Sequence, residues 1–345
     1  MKATISSATV QAHVPGTGTL NAPASAVATP KETATNASIE RGRLVLWIRK
    51  VWSYRLSYLF ILPFMLCFAI FIVIPVLAAV GLSFTYYNSI EKPHFIGWEN
   101  FRYMLSQDLI FLKYAIPNTF KFALVVGPGG YIASFLLAWL ITQLPGRSQR
   151  WFTLAMYTPS LTIGIAVTIV WLPLLSGDRI GYLNSLLLKL GWIESPILWV
   201  TDKSHLMNSM IATTLWSSMG VGFLAMLAGL LNVNKELYEA GRIDGVKSRL
   251  QEIWYITIPS MKPQMLFGAI MAIVGAFKAG VIGVQLSGMN PTPEYSGHLI
   301  INHIDDYGFI RFEMGYAAAL SVFLLALMYA SNKLSWALFG SKGDE

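Results

Sequence analysis

Long apolar blocks are the feature that most constrains this chain. Hydrophobic residues make up 54% of the 345 residues and charged residues only 12%, whereas soluble domains carry about 25% charged residues. A helix needs about 20 mostly apolar residues to cross the hydrocarbon core of a bilayer. Six segments qualify, at residues 58–83, 119–143, 154–175, 207–231, 264–286 and 315–335. The sequence therefore predicts an all-α membrane protein with six transmembrane helices.

Two of these segments carry further signals. Pro159 and Pro173 interrupt the third segment, which we still count as a span because broken helices are tolerated where they pack against protein or line a cavity. The fifth segment is read as one continuous helix with small residues at four-residue spacing, namely Gly268, Ala272, Ala276 and Gly280. Such a stripe predicts close packing against other helices.

The distribution of cations predicts the orientation of the chain. An even number of spans puts both termini on one side, and the positive-inside rule places the more cationic loops in the cytoplasm. Most of the lysines and arginines fall on the side of the termini, with a cluster from Arg41 to Arg55 just before the first span. We therefore expect a plasma (inner) membrane protein with cytoplasmic N- and C-termini.

The ends of the chain are polar. Residues 1–45 are rich in Ala, Thr, Ser and Pro, cannot bury a core, and are expected to be a disordered cytoplasmic tail. Residues 46–340 form the six-span domain, and residues 341–345 a short cytoplasmic C-terminus. The net charge of +7 follows the membrane topology and does not indicate nucleic-acid binding. The lone Cys67 excludes a disulfide within one chain.

The loop at residues 232–263, between the fourth and fifth spans, is too polar to cross the membrane. Asn234 is a suitable cap for a first helix, and Gly245 is a permissive residue for its end. Ser248 and Gln251 have the spacing of a capping box for a second helix, which Pro259 is expected to end near Ile258. This helical elbow could lie flat on the membrane surface or dock in a groove of a partner protein.

The residues of the elbow resemble a known signature. Glu239-Ala240-Gly241, Asp244-Gly245, Ile256 and Pro259 resemble the E-A-A-x-x-D-G…I-x-L-P motif of importer-type ABC permeases. Gly241 stands in place of the second Ala, and one extra residue separates Gly245 from Pro259 compared with the commonest spacing in sugar permeases. Weaker similarities to the sugar-importing, maltose-type branch lie at Gly97–Phe101, Asn118-Thr119, Gly181–Asn184 and Gly315–Ala317.

This resemblance implies a function. The loop would be the coupling helix that sits in a cleft of an ATPase subunit, with Glu239 at the ATPase surface, Ala240 and Gly241 allowing close approach, and Asp244 and Gly245 making the turn. The implied partners are a second permease, usually a different chain, two ATP-binding subunits, an extracytoplasmic solute-binding protein and a carbohydrate. The chain lacks the P-loop G-x-x-x-x-G-K-[ST], so ATP and magnesium would bind the partner ATPase and no cofactor this chain.

Lys278 and the adjacent Phe277 are the candidates for the substrate path. Lys278 falls about 4–5 Å from the centre of the fifth span, where an unpaired ammonium is costly. It could pair with an acid on the second permease. Alternatively it could recognise an acidic substrate such as an oligouronate, and the C-terminal half resembles permeases for polyuronides, alginate among them.

Other function classes fit the sequence less well. A secondary transporter or channel that works alone is the main alternative, but its usual internal repeats and intramembrane acids are absent from the sequence. Trp139, Trp171 and Trp216 could stack on sugars, although aromatic residues in spans more often serve packing. His298, His303, Asp305 and Asp306 lack a metal-ligand spacing and are expected to be exposed polar residues. No hydrolase motif occurs, so the chain is not expected to be an enzyme.

Overall fold

The computed structural model describes residues 53–161 and 164–340. The predicted tail at 1–45 and the C-terminus at 341–345 lie outside the described residues. The chain divides into two units between Phe71 and Ile72, and the packing described below is that of the second unit. The described part is mostly helical, as the apolar blocks predict.

The first part of the chain begins with α1 (Arg55–Phe68), in which no residue is buried. A π turn at Ala69–Val73 and α2 (Ile74–Leu82) complete one candidate span, Arg55–Leu82. Pro63 and Pro75 are tolerated within this stretch. The side chains of α1 are exposed and, after Tyr58, apolar, which suits contact with lipid or with another membrane helix; Cys67 is among them.

The remaining elements follow in chain order. A hairpin pairs β1 (Thr85–Tyr86) with β2 (His94–Phe95) in antiparallel register. The helices up to the elbow are α3 (Glu99–Ser106), a π turn (Phe111–Ala115), α4 (Ile116–Thr142), α5 (Gly146–Leu161), α6 (Gly164–Leu174), α7 (Tyr182–Lys189), α8 (Leu206–Trp216) and α9 (Val221–Asn232).

The elbow and the C-terminal part contain the other helices. These are α10 (Lys235–Ile243), α11 (Arg249–Glu252), a π turn (Ile253–Thr257), α12 (Ile258–Ser260), α13 (Lys262–Lys278), α14 (Val281–Ser287), a 3-10 turn (Pro293–Tyr295), α15 (Ile300–Asp305), a π turn (Asp306–Ile310) and α16 (Met314–Phe339).

The core is built on helices α4, α9 and α13, which pack pairwise against one another, while α13 also packs against α16. The close approach of α9 and α13 depends on the small-residue stripe predicted for the fifth span. Gly268 lies against Met226 of α9 and also meets Gly222 backbone to backbone. Small residues let helix backbones approach where lipid offers no hydrophobic drive, so this part of the stripe serves packing between α9 and α13.

The described residues support between three and five of the six predicted spans. Three helices in the described part are long and apolar enough to cross a membrane, and counting two bent pairs raises the number to five. The predicted third span, 154–175, is not tested by this count, because it includes residues 162 and 163, which lie outside the described residues; Pro159 and Pro173 lie inside α5 and α6 on either side of them. The fourth predicted span is bent by 42° between Trp216 and Val221.

The fifth predicted span is not one continuous helix, which corrects the sequence interpretation. Helix α13 ends at Lys278 and α14 begins at Val281. The amide of Asn302 donates to the carbonyl oxygen of Gly280 at 2.8 Å, and Ile301 presses against the Cα of the same glycine. The hydrogen bond from Asn302 to the Gly280 carbonyl and the packing of Ile301 against Gly280 together account for the break in the helix.

Candidate functional site

The elbow between α9 and α13 begins as the sequence predicts. The side chain of Asn234 accepts a hydrogen bond from the Glu236 backbone N–H at 3.0 Å and caps α10. Gly245 follows the helix with φ +94°. The Val246 N–H donates to the Gly241 carbonyl at 2.9 Å and the Gly245 N–H to the Arg242 carbonyl at 3.3 Å, which is the Schellman pattern of a helix end.

The second helix of the elbow also begins with the predicted cap but ends later than predicted. The hydroxyl of Ser248 accepts from the Gln251 N–H while the Gln251 side chain accepts from the Ser248 N–H. The helical path continues past Pro259 to Ser260 and breaks at Met261, where φ is −117° and ψ 23°. The expected stop near Ile258 is therefore wrong. The π turn at Ile253–Thr257 shifts the hydrogen-bond pattern ahead of the proline, so the missing N–H does not end the helix.

The π turn also accounts for the unusual spacing of the motif. A π turn closes i→i+5 hydrogen bonds and holds one residue more than an α turn. The extra residue between Gly245 and Pro259 fits into this turn without changing the direction of the helix. Beyond Met261 the chain turns by 87° into α13.

Three contacts join the two helices of the elbow. A Cβ on Gly241 would lie 2.6 Å from the Cδ1 of Ile256, so the glycine lets α10 approach the π turn. The buried carboxylate of Glu252 accepts hydrogen bonds from Arg249 at 2.8 Å and from Arg242 at 3.3 Å. The hydroxyls of Tyr238 and Thr257 are 2.9 Å apart. The elbow is therefore braced as one unit.

The predicted coupling residues line the outside of this unit. Glu239, Ala240, Asp244, Gly245 and Pro259 are exposed, and Gly241 is half-buried. Large apolar side chains stand beside them; Leu237, Ile243, Leu250 and Trp254 are exposed, Ile243 to 88%. Along the second helix of the elbow, Leu250 and Trp254 are exposed whereas Thr257 is buried. Exposed apolar groups next to carboxylates form a surface suited to docking.

A cavity lies between α4, α8, α9 and α13, and its hydroxyl-bearing residues were not singled out from the sequence. Its volume is about 310 Å³, and hydroxyls line it from Tyr131, Ser134, Thr214, Ser217 and Ser218. The hydroxyls of Thr214, Ser217 and Ser218 donate to carbonyls of their own helix, which leaves their oxygens able to accept. Among the described residues, the cavity lining has no charged side chain. The only sequence signal for it was the Ser-Ser-Met-Gly break within an apolar segment.

Phe277 and Lys278 do not line this cavity. Phe277 is buried in a core cluster with Met104, Ile300 and Leu320, and it borders an apolar groove of about 400 Å³ between α4, α13 and α16. Lys278 is exposed and makes no ion pair within the described ranges. It is the last residue of α13, where a cation is favoured by the free carbonyls of a helix end. Gly275, one turn earlier, does line the cavity.

The two histidines expected to be exposed are buried, which corrects the sequence interpretation. The Asp108 carboxylate lies 2.8 Å from His303 Nε2 and accepts from the Tyr316 hydroxyl at 2.7 Å. His303 Nδ1 lies 3.1 Å from His298 Nε2. This buried group was missed because Asp108 lies 195 positions from His303 in the chain. No cluster suited to a metal ion occurs among the described residues.

Hydrogen bonds lower the pKa of Asp108 in this buried group, and burial lowers that of His298. Burial opposes the ionisation of Asp108, but bonds from His303, Tyr316 and the Phe111 N–H outweigh it and lower the pKa to about 2. Burial disfavours the cationic form of His298 and lowers its pKa to about 4. The group therefore contains an ionised Asp108 carboxylate and a neutral His298 imidazole at neutral pH.

Asn184 and Asn118, which belong to the weaker family similarities, have structural roles. Asn184, fully buried, bonds to the backbone of Ser176, Asp178 and Ile197 and to the indole N–H of Trp199. The amide of Asn118 donates to the carbonyl of Tyr295 at 2.8 Å. These amides fasten loops to the helix bundle.

Comparison with known proteins decides the family. The profile of the family described as "Binding-protein-dependent transport system inner membrane component" matches residues 130–333. The chain belongs to this family. It is 30% identical, over 83% of its length and 90% of the relative's, to the arabinooligosaccharides transport system permease protein AraP of Bacillus subtilis (strain 168). It is 29% identical to the lactose transport system permease protein LacF of Rhizobium radiobacter, over 64% of its length and 72% of the relative's.

A solved structure has the same fold as this binding-protein-dependent permease. It is a bacterial ABC transporter involved in the import of the acidic polysaccharide alginate, matched with a TM-score of 0.69 and 22% identity over 85% of this chain and 99% of the other. The permease relatives are transport subunits, so the chain is a membrane transport subunit rather than an enzyme.

Proposed function

We propose that the chain is a membrane-spanning subunit of an ABC importer for a carbohydrate, that it lines the translocation path, and that it couples to a separate ATPase through the elbow at residues 232–263. The observation that carries the coupling role is the braced elbow with Glu239 and Asp244 exposed beside Ile243 and Trp254. Apolar side chains bordered by charges suit a groove on a partner protein.

The elbow has a direct mechanical connection to the cavity. It runs through Met261 into α13, and α13 contributes Gly268, Met271 and Gly275 to the cavity wall. A partner that displaces the elbow as a rigid unit would therefore move one wall of the cavity. ATP hydrolysis, with its nucleotide and magnesium, takes place on the partner ATPase.

A carbohydrate substrate is supported by two independent observations. The names of the relatives above include arabinooligosaccharides and lactose. The cavity presents hydroxyl groups without charge, and such groups exchange hydrogen bonds with sugar hydroxyls. The remaining partners are a second permease, two ATP-binding subunits and an extracytoplasmic solute-binding protein, with both termini of this chain in the cytoplasm.

An acidic sugar is a second candidate, favoured by Lys278. Its ammonium is exposed and lies one turn beyond the cavity-lining Gly275. It would bind a carboxylate of an oligouronate at the edge of the path.

Reconstitution tests the proposed function. The chain is co-expressed with its neighbouring transport genes, purified as a complex and placed in proteoliposomes with labelled arabinopentaose. We expect uptake that requires both ATP and the solute-binding protein. Uptake by this chain alone without ATP would contradict the proposal and favour a secondary transporter.

A further inference from the structure

An open cleft lies outside the cavity just described, between the β1–β2 hairpin, α3 and the start of α16. Its volume is about 650 Å³, within the range of small-molecule sites. Apart from Tyr316, its lining comes from residues between the candidate spans Arg55–Leu82 and Phe111–Thr142 or directly before Met314. The cleft is therefore at the aqueous ends of three candidate spans, on the side that the predicted topology places opposite the elbow.

Buried hydrogen bonds hold the walls of the cleft in place. The Asn100 amide donates to the carbonyls of Ser83 and Thr85, both at 2.9 Å. The Tyr316 hydroxyl donates to the buried Asp108. Gly315 packs directly against the Thr85 carbonyl, where a side chain would not fit. Because the walls are held in place before binding, less conformational entropy is lost when a ligand binds.

The side chains that face the cleft are available for a ligand. Glu99, Arg102, Gln107 and Glu313 line it, and within the described part of the chain none has a side-chain hydrogen bond or ion pair. The ring of Tyr103 stands edge-on to Tyr316 at 5.2 Å. Donors and acceptors beside aromatic rings suit the hydroxyls and C–H faces of a sugar.

We propose that this cleft binds one end of an uncharged oligosaccharide. Two carboxylates, of Glu99 and Glu313, and one guanidinium, of Arg102, line the cleft, so it disfavours a chain of uronates. This inference rests on the proposed function and deepens it by naming a neutral saccharide and a second contact with it.

Binding to the purified transporter complex, without the solute-binding protein, tests this inference. Calorimetry measures the affinity for arabinopentaose and for a mannuronate pentasaccharide. Because each lost hydrogen bond weakens binding by about five- to tenfold, we expect that loss for arabinopentaose in Arg102→Gln and in Glu313→Gln. Glu91→Gln, in the exposed hairpin loop, is the matched control and should bind like the wild type. The mannuronate oligomer should bind more weakly than arabinopentaose and gain affinity in Glu313→Gln.

The possible failures are distinguishable. If carbohydrate uptake is normal but wild-type binding is undetectable or unchanged in both variants, the cleft is not a saccharide site and the proposed function stands. Tighter wild-type binding of the mannuronate oligomer would also overturn the inference. If the complex transports no carbohydrate, the proposed function fails first and the inference fails with it.

Discussion

Gly241 and Ile256 are in contact across the elbow, where a Cβ on the glycine would lie 2.6 Å from the isoleucine Cδ1. Gly241 stands where the permease signature has its second alanine. A glycine at this position therefore suits this elbow, because the π turn brings Ile256 against α10.

Replacing this glycine tests the packing of the elbow. Gly241→Val should destabilise the elbow by about 1–3 kcal/mol through overpacking and uncouple ATP hydrolysis from uptake. Gly241→Ala should be milder, because the clashing atom is the end of a flexible side chain. The measurement is sugar taken up per ATP hydrolysed, and Gly241→Val combined with Ile256→Ala should recover part of the loss. A Gly241→Val protein with wild-type coupling would contradict the close contact.

Much of the elbow is predictable from the sequence because its signals are local. Asn234, Gly245, Ser248 and Gln251 act within four positions of the backbone groups they satisfy. The end of the second helix is not predictable in this way, because the π turn that carries it past Pro259 depends on packing against α10.

The Arg242–Glu252 ion pair joins the two helices, and Arg249, in the same helix as Glu252, makes a second ion pair with that carboxylate. Burial raises its pKa, but hydrogen bonds from Arg249 and Arg242 outweigh burial, so the pKa is lowered. The stabilisation is present above the ordinary value of 4.5 and is lost as the pH falls through the lowered value. The arginine side chains are 57% and 63% exposed, so Glu252→Gln should cost only about 1 kcal/mol.

Hydrogen exchange of residues 235–260 measures this effect. We expect faster exchange in Glu252→Gln at pH 7 and little change in Lys247→Gln, whose side chain makes no ion pair within the described ranges. Equal exchange in the two variants would show that the ion pairs do not brace the elbow.

The buried His298 predicts a pH dependence of stability. Its folded pKa of about 4 lies below the ordinary 6.5, so the unfolded chain binds the proton first. Stability is retained above pH 6.5 and falls as the pH drops towards 4, by on the order of 3 kcal/mol. The melting temperature of His298→Gln should fall less over this range than that of the wild type. His94→Gln, an exposed control, should behave like the wild type; identical profiles for all three would contradict the buried neutral state.

Neither the histidine group nor the hydroxyl cavity could be located from the sequence. Asp108 and His303 are brought together by tertiary packing, and a single chain gives no signal for such a pair. The cavity depends on the break between Trp216 and Val221, and hydroxyl residues in an apolar segment do not reveal which way they face. The apolar blocks, in contrast, predict the helical class because composition alone carries that information.

The role of Lys278 distinguishes a neutral substrate from an acidic one. If its role is only to stabilise the end of α13, Lys278→Met should assemble normally and change uptake of a mannuronate oligomer less than about twofold, since a helix-end cation contributes only about 0.3–1 kcal/mol. If it binds a carboxylate, uptake of the uronate should fall about tenfold or more while that of arabinopentaose is retained. We expect the first result from the uncharged lining of the cavity. Uptake of both sugars in membrane vesicles, with assembly checked by purification of the complex, distinguishes the two roles.

Co-purification with the ATPase tests the coupling role of the elbow most directly. The complex is purified through a tag on this chain, and the amount of ATP-binding subunit is compared among wild type, Glu239→Lys and Glu91→Lys. The two variants make the same charge change at exposed positions, one in the elbow and one in the hairpin loop. We predict that Glu239→Lys loses most of the ATPase and that Glu91→Lys retains it. Full retention in Glu239→Lys would contradict coupling through this loop.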